Sequence, residues 1–517
     1  MRAHGGPPAT VGAVAGPPAI DGHVRVAHLS DDLARRMTRL ATDGADLDRS
    51  RSVVERALST GGTYYGINTG FGVLASTRIA RADVERLQRN LLVSHAVGVG
   101  DPVPKPIARV MLGLKIHALA LGYSGVSRRT FDRLLDFARL DLVPVVPLQG
   151  SVGASGDLAP LAHLCLPLIG QGAFWSADGR ETRPAADVLA AHGLAPIELQ
   201  AKDGLALING TQFMSAHGAW ALERALRLVR LADLAGALSL EALEGRSAPF
   251  DPRVHGVRPH PGQAASAAEV MRFVAGSQLV DRPGTGRVQD PYSLRCLPQV
   301  HGASRDALEY ARAVVETEIN SVTDNPLVFA EGDIISGGNF HGQPLALALD
   351  FAAMALAELA SISERRTYLL LDGRHGLPQM LVNHQGLNSG LMMVQYTAAA
   401  LVSENKGLCH PASVDSIPTS QGQEDHVSMG SISAVKLQRV LSHVETVLAI
   451  ECLTAAQAVD FRAPARPGRG TSAAHAALRA VVPHVDHDTT FDGLIASVHE
   501  LVQHGTLLSA ADEATIR

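Results

Sequence analysis

The sequence predicts a mainly α-helical protein, a bundle of long parallel and antiparallel helices preceded by a loop-rich N-terminal domain. Three observations lead there. Aromatic residues make up only 4% of the 517 residues. No stretch shows sustained strand alternation, and several long runs repeat apolar residues at helical spacing.

Residues 106–121 and 131–140 are the early runs. Residues 211–243 are nearly uninterrupted, with Leu222, Leu226, Val229, Leu231 and Leu234 forming an apolar stripe. Residues 304–322, 343–371, 389–408 and 433–460 follow. A helix of thirty residues spans about 45 Å, a length suited to bundles whose apolar stripes continue across subunits. Pro-rich breaks at 248–252 and 258–261, and a basic Pro/Gly loop at 463–470, separate these runs. The expected organisation is a flexible tail (1–22), an N-terminal domain carrying the chemistry (23–210) and the long-helix bundle (211–517). The tail is rich in Gly, Pro and Ala and lacks the basic start and unbroken apolar stretch of a signal peptide.

Composition narrows the function. At 46% hydrophobic and 19% charged the chain can bury a large core. A net charge of −6 is not the basic footprint of a nucleic-acid binder. Cys165, Cys296, Cys409 and Cys452 form no Cys-x-x-Cys pair, which suits reduced thiols and a cytoplasmic location. The apolar segment 158–175 is interrupted by Pro160, His163, Pro167 and Gln171, so it reads as buried core and no membrane is expected. The 22 histidines include no His-Glu-x-x-His and no other ligand spacing, so no metal is expected.

The chemistry is read from residues 150–157, Gly-Ser-Val-Gly-Ala-Ser-Gly-Asp. They lack the Gly-Lys-Ser/Thr of a phosphate loop, the Gly-x-Gly-x-x-Gly of a dinucleotide loop and the Gly-x-Ser-x-Gly of a nucleophile elbow. Small residues at Gly153, Ala154 and Gly156 permit tight, partly left-handed turns. In such a turn the Gly156 nitrogen can attack the Ala154 carbonyl carbon. Loss of two waters, one taking the Ser155 hydroxyl, leaves a five-membered ring with an exocyclic methylidene. That product is an electrophile of a kind no ordinary side chain supplies. A second block, Tyr-Tyr-Gly-Ile-Asn-Thr-Gly-Phe-Gly at 64–72, offers Tyr65 either as an aromatic anchor under a turn or as a base. In the second case its phenol, ordinarily near pKa ~10, must be lowered by donors or positive charge.

These blocks, with those at 204–212, 288–295, 323–327, 337–341 and 423–426, resemble the aromatic amino-acid ammonia-lyase family, in its histidine-specific branch, over residues 25–462. The resemblance implies a 4-methylidene-imidazole-5-one ring formed autocatalytically from Ala154, Ser155 and Gly156, with no external cofactor. It implies Tyr65 as the catalytic base, and Asn209 and Tyr292 as groups that support the ring and handle the departing amine. Arg295 matches the residue that grips the substrate carboxylate, for which a guanidinium is a two-pronged donor. Gln289 and Phe340 match pocket-lining residues. His95 and Glu424 fall where the substrate side chain is contacted and can hydrogen-bond both nitrogens of an imidazole. The implied substrate is the small molecule L-histidine, the products trans-urocanate and ammonia, and the assembly a homotetramer with shared sites. The alternative is a tyrosine or phenylalanine ammonia-lyase, or a 2,3-aminomutase, using the same ring. Asn325 reads as a turn residue and stands outside the catalytic set. His301, where many relatives carry methionine, is expected to reshape the pocket or an interface.

Overall fold

The computed structural model describes residues 22–43, 45–60, 64, 66–67, 69, 79–80, 83–283 and 288–516. Tyr65 and residues 1–21 of the tail lie outside the described residues. The N-terminal part is built from α1 (Leu29–Asp43), α2 (Asp48–Thr60), α3 (Val84–His95), α4 (Lys105–Ala120), α5 (Arg128–Arg139), α6 (Leu158–Cys165), α7 (Ala185–Ala191) and α8 (Asp203–Ile208). Then come α9 (Gln212–Ala242), α10 (Pro252–Gly256), α11 (Pro261–Phe273), α12 (Tyr292–Arg295) and α13 (Leu297–Ile319). The chain continues through α14 (Gln343–Leu371), α15 (Met392–Leu408) and α16 (Gly430–Asp460), and ends with α17 (Arg469–Arg479), α18 (Asp492–Gln503) and α19 (Thr506–Ile516). The strands of the described residues form three small antiparallel ribbons: Val99–Pro102 with Pro147–Gln149, Ala173–Trp175 with Thr182–Pro184, and Leu327–Val328 with Ile334–Ile335.

The helix expected over 343–371 has those bounds. The one expected over 304–322 starts earlier, at Leu297. Its Pro298 falls in the first turn, where a missing N–H costs the helix no hydrogen bond.

α9 is buried on nearly every face, as a helix apolar all round must be. α16 runs parallel to it: Gln438 Nε2 donates to the His217 carbonyl at 2.7 Å, Arg224 pairs with Glu445, and Arg462 Nε donates to the Ala242 carbonyl at 2.7 Å. α14 runs the same way, pairing Asp350 with Lys436 near its start and Arg366 with Glu451 near its end. α13 runs antiparallel to α9, with Leu297 beside Gly236 and Val315 beside Gly218. α14 is apolar enough to cross a membrane, yet 67% of its apolar window is buried, and α9, α13 and α16 pack around it.

Charge is buried among these helices. Arg366 reaches Glu451 with two nitrogens (2.5 and 2.8 Å), and Ser239 donates to the same carboxylate at 2.7 Å. His301 packs into this network, bonding to Asp233 through Nδ1 (2.8 Å) and meeting Arg366 through Nε2 (3.3 Å). Where a methionine would only fill space, this histidine links the buried Arg366–Glu451 pair to Asp233, which also pairs with the partly exposed Arg305. The main core has members from Val24 to Ala511, and a small second cluster gathers Val53, Val54, Ile67, Val84, Ala201 and Val328.

Candidate active site

Three long helices begin at one place. A Cβ on Gly342, just before α14, would lie 2.5 Å from the Met214 sulfur in the first turn of α9 and 3.0 Å from Ser428 Oγ, just before α16. The loop 150–157 rests on this junction, so the positive ends of three helix dipoles converge beside it.

Asp157 fastens the loop there. Its buried carboxylate accepts the Phe213 and Met214 N–H groups, each at 3.0 Å, from the first turn of α9. Ser431 Oγ, in the first turn of α16, lies 3.2 Å from the other carboxylate oxygen and 2.7 Å from Ser151 Oγ. The Met429 N–H donates to the Val152 carbonyl at 3.0 Å. Burial pushes the Asp157 carboxyl up to about 7 against these donors.

Held this way, the backbone is strained where the sequence allows it. Gly153, Ser155 and Gly156 have φ of 82°, 50° and 81°, the left-handed region that a serine seldom occupies. Gly156 runs in a parallel bridge with Gly210, and the Asp157 N–H donates to the Gly210 carbonyl at 2.8 Å. A side chain on Gly156 would run into that carbonyl. The backbone through Ala154-Ser155-Gly156 is therefore sharply turned.

A cavity of about 500 Å³ opens beside it. Ala154 and Ser155 line one side, and Asn325, Phe340, His341, Glu424 and His426 line the others. A larger cavity of about 640 Å³, between α1, α4, α5 and α9, is lined mainly by apolar side chains and contains none of the expected site residues. The smaller one is lined by the expected residues Ala154, Ser155, Phe340 and Glu424. Asn209 lies behind Gly156, buried, and its side chain donates to the Asn325 carbonyl at 3.1 Å. The Asn325 side chain in turn accepts the Gly337 N–H at 2.8 Å. Glu424 accepts from Thr419 Oγ1 at 2.7 Å.

His95 ends α3. Its Nδ1 meets the Leu91 carbonyl at 2.8 Å. A carbonyl only accepts, so Nδ1 carries the proton and Nε2 is left as an acceptor. Burial lowers the pKa of this imidazole, and the charge of Glu424 partly opposes the shift.

Gln289, Tyr292 and Arg295 stand apart from this group. Tyr292 is 70% exposed, the Arg295 guanidinium stacks on its ring at 4.8 Å, and Arg295 Nε donates to the Asp290 carbonyl at 3.3 Å. Gln289 is exposed. Arg366, near the far end of α14, meets the Ser293 carbonyl at 3.4 Å, and Asp290 lies beside Gly245, past the end of α9. The cavity adjoins the opposite ends of the same helices, so along α14 and α9 the two groups are separated by roughly 35–45 Å at 1.5 Å per residue.

The structure thus brings Ala154, Ser155, Gly156, Asn209, Phe340 and Glu424 together at one end of the bundle, with His95 within electrostatic reach of Glu424. Gln289, Tyr292 and Arg295 lie at the other end. Asn325, read from the sequence as a turn residue outside the catalytic set, also lines the cavity, as do His341 and His426, which were not singled out as site residues. Their only signal was membership of the blocks at 323–327, 337–341 and 423–426.

Comparison with known proteins agrees with this architecture. The aromatic amino acid lyase family profile matches residues 25–480. A histidine ammonia-lyase from Anaeromyxobacter sp. (strain K) is 55% identical over 469 residues, covering 89% of this chain and 92% of its own. The crystal structure of histidine ammonia-lyase from Trypanosoma cruzi superposes with a TM-score of 0.85 at 41% identity, covering 93% of each chain. Tyrosine aminomutase from Streptomyces globisporus superposes with a TM-score of 0.87 at 36% identity, covering 96% of this chain and 98% of its own. Fold, cavity and relatives together define a helical carbon–nitrogen lyase. The chain belongs to the aromatic amino acid lyase family.

Proposed function

We propose that this protein eliminates ammonia from L-histidine to give trans-urocanate, using a methylidene-imidazolone ring built from Ala154, Ser155 and Gly156. One observation carries the reading: Ser155, held at positive φ between two left-handed glycines, faces Glu424 across a single cavity. Relatives that are 51–55% identical and named histidine ammonia-lyases support it. The tripeptide fits the ring, because Gly156 lies against Gly210 where a Cβ has no room and Ser155 already has the turned backbone that closure requires.

Formed from Ala154, Ser155 and Gly156, the ring would supply an electrophilic methylidene carbon that activates the substrate amine as a leaving group. The protein's own residues do the rest. Tyr65, outside the described residues, removes the β-proton. Asn209 and Tyr292 support the ring and the departing amine. Arg295 holds the substrate carboxylate, and Gln289 and Phe340 line the pocket. The β-proton is weakly acidic, so alignment of base and leaving group supplies much of the acceleration.

Histidine is favoured over tyrosine and phenylalanine because the wall near the cavity offers two acceptors, His95 Nε2 and the Glu424 carboxylate. Two acceptors match a side chain carrying two N–H donors, as the imidazolium does. Phenylalanine would leave both unpaired, a strong ground for rejection.

The assembly in this reading is a homotetramer with shared sites, in which a second copy supplies Gln289, Tyr292 and Arg295. The separation of the two groups within one chain supports it. So does the outer face of α14, where Leu347, Phe351 and Met354, spaced for one helical face, are 50%, 43% and 41% exposed. A cytoplasmic location belongs to the same reading, supported by four free cysteines.

The test is incubation of the protein with L-histidine, L-phenylalanine and L-tyrosine while following the absorbance of each unsaturated acid. Urocanate from histidine, with little product from the other two, is expected. Preferential formation of cinnamate or coumarate, or of a β-amino acid, would overturn the assignment.

A further inference from the structure

α4 is apolar on almost every side, yet Lys115 lies in its middle with the side chain fully buried. Lys115 Nζ donates to the Asn209 carbonyl oxygen at 2.7 Å. Among the described residues, no carboxylate lies within ion-pair distance of it. Asp324 is taken by Lys202 at 2.8 Å, and Asp157 by the first turn of α9. The ammonium's direct partner is therefore a peptide carbonyl, and the carboxylates of Asp324 and Asp157 act on it only from beyond ion-pair distance. An uncompensated buried amine is costly, and a methionine would fill the same space without that cost.

The Asn209 carbonyl belongs to the same peptide group as the Gly210 N–H. That N–H points the opposite way and donates to the Ser155 carbonyl oxygen at 3.4 Å. Ring closure joins the Ala154 carbonyl carbon, the Ser155 nitrogen, Cα and carbonyl carbon, and the Gly156 nitrogen. The Ser155 oxygen is then the one oxygen left on the ring, and it is conjugated with the methylidene. When a nucleophile adds to the methylidene carbon, the displaced electron pair moves toward that oxygen. A donor to it stabilises the charge as it develops.

We propose that Lys115 is a positioning residue that raises the electrophilicity of the ring, acting through the Asn209–Gly210 peptide. Its ammonium pulls density onto the Asn209 oxygen, which makes the Gly210 N–H a stronger donor to the Ser155 oxygen. Hydrogen bonds in a chain polarise one another in this way, and a charged member strengthens the chain. The inference rests on the ring chemistry proposed above. The titratable and charged groups facing Lys115 are Asp324, Cys165, Lys202 and Asp157, and its burial lowers the amine to about 8.

The test uses the full-length protein and the variants Lys115→Met and Lys115→Arg, without substrate. Intact mass reports the ring, since a cyclised chain is lighter by two waters. The ultraviolet band of the ring reports its polarisation. Its reactivity is read from the addition of a small thiol, sulfur to the methylidene carbon and the thiol proton to the ring, with no oxidant or reductant required. Lys115→Met is expected to keep the ring, shift the band and slow addition by about tenfold, a fraction of the loss seen on deleting a direct oxyanion donor. Lys115→Arg, which keeps a charged donor, is expected to restore both. With histidine as substrate, kcat falls in Lys115→Met while KM is held. A ring-bearing Lys115→Met protein with an unchanged band and wild-type addition rate would overturn the proposal.

If Lys115→Met fails to cyclise, the pH dependence of the band decides. The wild-type band should move as pH rises through about 8, whereas the Lys115→Arg band should not, because arginine stays protonated. A static wild-type band, or equal movement in both proteins, refutes the role of Lys115. A wild-type chain that has not lost two waters refutes the ring itself, a separate outcome.

Discussion

The two ends of the helical bundle carry site residues in opposite states. At the end where α9, α14 and α16 begin, small residues, positive φ angles and converging helix termini enclose a cavity around Ser155. At the other end, the exposed Tyr292 and the half-buried Arg295 sit on a short helix, backed by the buried Arg366–Glu451 pair. One end is a cavity with no arginine in its lining. The other carries Arg295 outside that cavity. The difference teaches that these residues do not meet within one chain, and in the proposed tetramer each chain contributes to two sites and completes neither.

The sharpest way to break this comparison is complementation. Ser155→Ala and Arg295→Ala should each lose more than about 10³-fold in turnover, as when a group that acts as part of a unit is removed. Refolding the two variants together should restore roughly a quarter of the sites by random pairing. A mixture that stays inactive would mean that the two ends never meet.

Stability should divide the other way. Glu451→Ala strands Arg366 in the core and should cost about 3–5 kcal/mol in denaturant unfolding, while Ser155→Ala leaves the midpoint almost unchanged. Equal losses from the two substitutions would erase the distinction between a chemical end and a structural end.

Within the pocket, Glu424→Gln should lower kcat/KM for histidine by about 10–100-fold, as expected for losing a charged hydrogen-bond partner, and should narrow the preference over phenylalanine. A preference left as wide as before would place substrate reading elsewhere.

The smallest effect is a matter of pH. Burial lowers the pKa of His95, so its Nε2 acceptor persists through neutral pH and is lost only as the medium turns acid. The acid limb of kcat/KM should therefore fall below the ordinary imidazole range and flatten in His95→Gln. An unaltered limb in that variant would assign the titration to another group.

Much of this was legible in the sequence. The long helices were, because uninterrupted apolar periodicity has few other outcomes; the start of α13 was placed seven residues late, and Pro298 occupies its first turn. The loop 150–157 was legible because only small residues allow its turns. Asn325 was not, since its value lies in a contact with Asn209, 116 residues away. Lys115 was hidden among the few polar residues of a largely apolar helix. The division of Tyr292 and Arg295 from Ser155 could not be read at all, because spacing along a chain says nothing about which end of a helix a later segment returns to.

The attachment of Asp157 also dictates an order of manufacture. Its carboxylate is held by groups 56, 57 and 274 residues further along the chain. A nascent chain that has not yet reached Ser431 lacks part of the frame that bends Ser155. In the proposed function, the ring would then form only after most of the polypeptide has been synthesised and packed, and a truncated product would keep an unmodified serine.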